Sequence, residues 1–168
     1  IHPFLDGNGR IGRLLIPLYL ISHELLAKPS LYLSDFFEQN RASYYDALMR
    51  VRVSNDLVHW VRFFLNGVAR TATKGRDVFQ RILTLRSEAE QVILDLGRRA
   101  PSGREALNLL YRKPLIDARD LEKALGVTTP TANALLKSLI EKGILVEVTG
   151  QQRGRIYAFE RYLKLFLG

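Results

Sequence analysis

The chain of 168 residues contains no cysteine, a single methionine and a single tryptophan. Without cysteine there are no disulfides and no thiolate metal centres, which fits a reducing compartment, and a cytoplasmic setting is expected. Long apolar runs are also missing. The best stretch, residues 11–26, is interrupted by Arg13, Pro17, Ser22, His23 and Glu24, well short of the ~18 apolar residues that span a bilayer, so no membrane segment is expected. Acidic residues are the minority, 17 against 25 Lys/Arg, for a net charge of +8. That excess raises the question of nucleic acid. It is spread evenly, however: residues 1–100 hold 14 Lys/Arg against 10 Asp/Glu and residues 101–168 hold 11 against 7, so each part carries +4. Neither part is a dedicated polycation. An apolar fraction of 47% suits packed cores in one or two small domains rather than a disordered chain.

What is present is concentrated at the start. Residues 2–13 read His-Pro-Phe-Leu-Asp-Gly-Asn-Gly-Arg-Ile-Gly-Arg and open a long apolar run, so a loop is expected to become a helix here. Gly7, Asn8 and Gly9 carry little side-chain bulk and allow a tight turn that brings backbone N–H groups to an anion at the helix start. Arg10 and Arg13 are three apart and share a helix face, offering forked donors to the outer phosphates of a nucleotide. Together they suit a triphosphate. Asp6 is a hard oxygen ligand beside the cradle, placed where Mg²⁺ bridges carboxylate and phosphate oxygens. His2 titrates near neutrality and suits proton abstraction from an attacking hydroxyl. The motif holds no serine or cysteine, so the nucleophile is expected from a second substrate, and the reaction class is group transfer from a nucleotide. Phe4 reads as a packing anchor and Pro3 as a rigidifier, while His23 and His59 read as ordinary helix residues.

The motif fits H-P-F-x-[D/E]-G-N-G-R-x-x-R at every fixed position and resembles the signature of the Fic family. The resemblance implies that His2 is the general base, activating a Tyr, Ser or Thr hydroxyl of a target protein for attack on the α-phosphate of ATP and leaving an AMP-modified protein. It further implies that Asp6 holds Mg²⁺, that Gly7, Asn8 and Gly9 form the anion hole, and that Arg10 and Arg13 hold the β- and γ-phosphates. The stretch Leu31 to Ser34, then Asn40, Arg41 and Tyr44 to Leu48, is similar to the segment that follows the motif in this family, which implies that Tyr45 and Leu48 wall the nucleobase pocket. Fic domains place several helices and a target-docking hairpin before the motif. Because the chain starts at Ile1, it is expected to be the C-terminal part of a longer protein.

Helical spacing predicts a first helix from about Gly9 to Ala27, apolar nearly all round and therefore a buried central helix bent at Pro17. Ser43 and Asp46 have capping-box spacing ahead of Leu48 and Val51. Asp56 precedes an apolar stripe of Leu57, Trp60, Val61, Phe64, Leu65 and Val68. Residues 1–75 are thus read as the C-terminal part of a Fic-type helical bundle. From Asp77 to Leu96 the apolar residues alternate spacings of four and three, the period of a packed helical seam that serves equally for packing back on the bundle or for a homodimer. Residues 76–100 are read as this connector helix and a linker centred on Arg98 to Gly103.

Residues 101–168 carry a separate pattern. Helices are predicted near 104–112 and 117–125, with Gly126 as a left-handed cap and Thr128 as the N-cap of a third helix, followed by β-rich runs at 145–149 and 155–159 around a glycine-bounded turn. This order resembles a winged helix-turn-helix, and the fold class is mainly α: a Fic-type bundle followed by a small α+β domain. For weak DNA binding, Thr129, Thr131, Asn133, Lys137 and Ser138 are candidates for the major groove, with Gln151, Gln152, Arg153 and Arg155 on the wing. Only one of those helix residues is basic, which favours weak DNA binding or protein contact over a strong operator reader. The leading expectation is an ATP- and Mg²⁺-dependent protein adenylyltransferase. The alternatives are a DNA-binding regulator whose Fic-like part senses a nucleotide, and a Fic-type enzyme acting on another nucleotide or phosphate group or removing AMP.

Overall fold

The computed structural model describes residues 3–27 and 31–166. Eight α-helices and three short strands are found there: α1 Asn8–Ser22, α2 Leu33–Gln39, α3 Arg41–Ser54, α4 Leu57–Leu94, α5 Ala100–Arg112, β1 Leu115–Ile116, α6 Ala118–Leu125, α7 Thr129–Glu141, β2 Val146–Glu147, β3 Tyr157–Ala158 and α8 Glu160–Lys164. The chain divides into two compact units, Ile1–Asp77 and Val78–Gly168.

In the first unit the core is small and aromatic. Leu31, Leu33, Phe36 and Phe37 are buried, and Ile16, Leu20, Tyr44, Phe63 and Phe64 pack against them. Gly67 is required by this core, because a Cβ there would lie 2.5 Å from Phe36 Cε1, and the Phe36 ring is itself hemmed in by Phe37 and Phe63. Gly67→Ala is therefore expected to destabilise the protein by about 1–3 kcal/mol through overpacking, even though alanine is the better helix former. A thermal melt reads this directly, and an unchanged or raised midpoint counts against it.

Three local expectations change here. α1 runs through Pro17 but ends at Ser22, where Glu24 takes a left-handed backbone (φ 57°) and Leu25 N–H bonds back to Leu20 O at 2.9 Å, a helix-ending bond pattern. Nor is α1 buried: Leu14, Leu15 and Leu18 stay more than half exposed, because only its Ile16 and Leu20 side meets the core and the opposite side has no packing partner among the described residues. The Ser43/Asp46 spacing does not cap a helix, since α3 has already begun at Arg41 and Asp46 turns instead to Arg50 Nε at 2.9 Å. Asp56, by contrast, accepts the His59 N–H at 3.0 Å and caps the start of α4.

The second unit has the larger core. Leu107, Leu110, Ile116, Leu121, Leu135, Leu136, Leu139, Leu145 and Phe159 are nearly inaccessible, and the C-terminal part of α4 contributes Leu85, Ala89 and Ile93 to the same cluster. The stretch read as a linker is structured: Gly97–Arg99 form a 3₁₀ turn, and Pro101, Ser102 and Gly103 lie in the first turn of α5. Proline suits that position because its missing N–H has no helical partner.

α6 starts with a reciprocal capping box, Asp117 Oδ1 accepting the Asp120 N–H and Asp120 Oδ2 accepting the Asp117 N–H. Burial pushes the Asp120 carboxyl up, but the Lys113 ammonium at 2.6 Å and the Asp117 N–H outweigh it and hold the group below its usual range. Gly126 ends α6 with φ 64°, as its cap role requires. Thr128 precedes α7, but its hydroxyl pairs with the Thr131 hydroxyl at 3.0 Å rather than with a backbone N–H. The sheet runs β1-β3-β2, antiparallel throughout, with Ile116 opposite Tyr157 and Tyr157 opposite Glu147. Helix, helix, helix and a β2–β3 wing give the winged helix expected from the sequence, with β1 as an added third strand.

Candidate functional site

The loop before α1 is fixed by its own side chains. Asn8 Oδ1 accepts the Phe4 N–H at 3.0 Å, and Asn8 Nδ2 donates to Phe4 O at 2.6 Å, so the amide staples residues 4–8 into a closed turn. Phe4 is thus held by its backbone; the residue is 52% exposed and is not part of the first unit's core among the described residues, so the expected packing anchor is not found there. Gly7 closes the turn at φ 80°, where any Cβ is strained. Gly7 O accepts N–H groups from Arg10 and Ile11. The N–H groups of Asn8 and Gly9, at the first two helical positions, have no carbonyl to bond within the helix. The first turn of α1 therefore presents backbone N–H groups without helical partners, at the position where the glycine pattern predicts an anion cradle.

Both arginines fold back over that turn. A Cβ on Gly7 would stand 3.6 Å from Arg10 Nη2, and one on Gly9 3.8 Å from Arg13 Nη1. Helical side chains lean toward the N-terminus, so Arg10 and Arg13, the third and sixth residues of α1, direct their guanidinium groups back to its first turn. Asp6 uses Oδ1 to accept the Gly7 N–H at 2.6 Å and places Oδ2 3.6 Å from Arg10 Nη2. With that carboxylate 95% exposed, the ion pair is weak and yields to a stronger ligand. Gly7, Asn8, Gly9, Asp6, Arg10 and Arg13 are therefore gathered at one helix end. His2 lies outside the described residues.

Arg13 also lines a cleft of about 530 Å³ in the same unit, together with Arg41, Tyr44 and Tyr45 of α3 and Asp35 and Phe37 of α2. The Arg41 guanidinium lies over the Tyr45 ring, 5.9 Å from its centroid. Arg13 is thus shared between the cradle and an aromatic-walled cleft, which joins two groups of residues far apart in sequence. Leu48, one helical turn beyond Tyr45, is 39% exposed and does not line this cleft. No group of three or more His, Cys, Asp or Glu side chains with metal-holding geometry occurs among the described residues.

The second unit offers a polar cleft of about 770 Å³ between α6, α7 and the wing, bounded by Arg119, Thr129, Asn133, Gln152, Arg153 and Arg155. The wing turn is tied down by Glu147, whose Oε1 accepts the Thr149 hydroxyl, the Thr149 N–H at 2.8 Å and the Gly150 N–H at 2.9 Å. The same bonds, the Thr149 hydroxyl foremost, hold the Glu147 carboxyl below its usual range. Of the residues expected on the exposed side of α7, Thr129 and Asn133 face this cleft, whereas Ser138 accepts Arg99 Nη1 at 3.0 Å and donates to Ala134 O. Lys137 pairs loosely with Glu141 at 3.9 Å. Arg119 is the contributor that the sequence pattern did not bring forward, because it belongs to α6 and meets the wing only through the fold.

Compared with known families, residues 1–20 match the Fic/DOC family model and residues 105–156 match the MarR family model. The chain thus joins a Fic/DOC-type segment to a MarR-type winged helix. No helix among the described residues is long and apolar enough to cross a membrane.

Proposed function

We propose that this protein transfers AMP from ATP to a Tyr, Ser or Thr hydroxyl of a target protein, with the start of α1 as its phosphate site. The observation that carries this reading is the double placement of Arg13, whose guanidinium reaches the first turn of α1 and also lines the cleft containing Tyr45. A nucleotide needs such a bridge, with its phosphates on a helix N-terminus and its base against aromatic side chains. Arg10 and Arg13 hold the outer phosphates, the N–H groups of Asn8 and Gly9 bind the phosphate beside them, and Tyr45 walls the base.

His2 takes the proton of the incoming hydroxyl. That oxygen bonds to the α-phosphorus, the bond to the β-phosphate bridging oxygen breaks, and pyrophosphate leaves with the electron pair. The residues present fit a magnesium ion held mainly by the nucleotide: Asp6 has one well-exposed carboxylate oxygen, and no all-protein cage accompanies it among the described residues, the arrangement Mg²⁺ commonly uses. When bound, the ion would neutralise charge on the phosphate oxygens. Incubation of the protein with labelled ATP, Mg²⁺ and cell extract tests the reading. Label should appear on protein and be displaced by unlabelled ATP ahead of GTP, CTP or UTP. Absence of transfer combined with absence of nucleotide binding rejects it.

A second reading, a DNA-binding regulator with a nucleotide-sensing Fic-like part, is favoured by the cleft of Arg119, Arg153 and Arg155, three cations around one groove of a MarR-type module. Three phosphate contacts predict that log K falls with log salt at a slope of about −3. Anisotropy of labelled duplex DNA with the whole chain measures this, and Arg153→Ala should lower the slope by about 1. A slope near zero removes DNA from consideration.

A further inference from the structure

A groove of about 660 Å³ lies between α3 and α4 in the first unit and shares no lining residue with the cleft of Arg13 and Tyr45. α4 supplies His59, Arg62, Phe63 and Asn66, which fall on one helix face by their spacings of three and four. α3 supplies Ser43 and Asp46, one turn apart, to the facing wall.

The polar side chains on this groove are open to solvent. Ser43, Arg62 and Asn66 are exposed, line the same space and are paired with no protein group among the described residues; each has an N–H or O–H to donate. The one acid is already engaged: Asp46 Oδ2 lies 2.9 Å from Arg50 Nε and 3.9 Å from His59 Nε2. With Asp46 paired to Arg50, the charge left on the groove is the positive charge of Arg62. A guanidinium, an imidazole, an amide and a hydroxyl lining one groove suit an acceptor-rich anion, and the forked guanidinium suits tetrahedral oxyanions in particular. Phe63 gives the groove an apolar floor for whatever carries the anion.

We propose that this groove is a binding site for phosphate monoesters, seated on Arg62, His59, Asn66 and Ser43. It is independent of the nucleotide reading of α1. Isolated histidines on helices are commonly surface residues, and the sequence gives His59 no ligand spacing; only the packing of α3 on α4 places it opposite Asp46 and beside Arg62.

The test is an NMR titration of the whole chain with sodium phosphate, against sodium chloride at equal ionic strength. The His59 Cε1–H and Arg62 Nε–H resonances should move and saturate with a Kd of about 1 mM or tighter, while His23 does not respond. Arg62→Gln should weaken binding by about tenfold or more, the loss of a charge-assisted contact. Asn66→Asp, which keeps the shape and adds a negative charge, should do the same, and it serves if the Arg62 variant melts early. O-phosphoserine and a phosphoserine peptide then separate the sources: equal affinity marks a free metabolite, and binding of the peptide tighter by about tenfold marks a phosphorylated protein. Shifts that chloride reproduces, or that survive in a well-folded Arg62→Gln protein, overturn the proposal.

Discussion

Residues 101–168 made alone will not hold a folded winged helix, whereas residues 78–168 will melt as one cooperative unit. The difference is the C-terminal part of α4. Leu85, Ala89 and Ile93 are buried at 5%, 3% and 1% exposure in the same cluster as Leu107, Leu110 and Leu136. Ile93 and Leu96 also press against α5 so closely that a Cβ on Gly103 would fall 2.9–3.1 Å from their methyl groups. Loss of one buried Leu or Ile side chain costs about 2–5 kcal/mol, and a domain of this size holds only about 5–15 kcal/mol in total. Cutting at the Pro101 to Gly103 stretch removes two such side chains at once and uncovers the apolar faces they covered. The ties from Glu88 to Arg161 and from Asp95 to Lys142 are lost as well, although exposed ion pairs contribute little beside the packing. Circular dichroism and a thermal melt of the two fragments decide it. A sigmoidal transition for residues 101–168 at the midpoint of the longer fragment would show that α4 is dispensable to this core.

That boundary illustrates which parts of the fold are legible in the sequence. Proline, serine and glycine in succession are loop formers on average, yet Pro101 occupies the one helical turn where a missing N–H is harmless and Gly103 is selected by the closeness of Ile93. The seam from Asp77 to Leu96 is visible by its spacing, but spacing does not say which partner fills it, and Leu85, Ala89 and Ile93 find theirs in the winged helix. Gly126 and the third helix of the winged helix are legible because a left-handed cap needs glycine and the Leu135, Leu136 and Leu139 stripe is strong. β1 escapes notice because two residues between Pro114 and Asp117 are too few to show alternation. The capping box of α6 escapes because its N3 residue is aspartate instead of the usual glutamate or glutamine.

At the candidate site the local part is legible and the tertiary part is not. The left-handed Gly7, the free N–H groups that follow it and the backward reach of Arg10 and Arg13 are consequences of residue type and helix geometry. The asparagine between the glycines is different. Its side chain is spent on Phe4, so it shapes the turn and leaves only its backbone N–H for the proposed phosphate site. Meeting Tyr45 across a cleft depends on how α1, α2 and α3 pack, which no spacing rule contains. The apolar character of α1 misleads for the same reason: composition shows that it wants partners, and only the packing shows that Leu14, Leu15 and Leu18 have none among the described residues.

His2→Ala and Arg13→Ala should separate the two halves of the proposed chemistry. Removal of a general base lowers a transfer rate by about 10²–10⁴ while leaving the bound nucleotide's contacts in place, so His2→Ala should abolish labelling of the target protein with little change in ATP affinity. Arg13 acts on binding. Loss of a hydrogen bond to a charged group costs about 1.5–3 kcal/mol, so Arg13→Ala should weaken ATP by roughly 10- to 100-fold, and more than Arg10→Ala, because only Arg13 also borders the cleft of Tyr45. Arg13→Lys should not restore it, since an ammonium keeps the charge but loses the planar fork that spans two phosphate oxygens. Calorimetric titration with ATP and Mg²⁺ gives the affinities, and the labelled-transfer assay gives the rates. Transfer that persists in His2→Ala at the parent rate assigns the base elsewhere. Affinity that is untouched in Arg13→Ala moves the phosphates away from the first turn of α1, and with them the reason for placing ATP there.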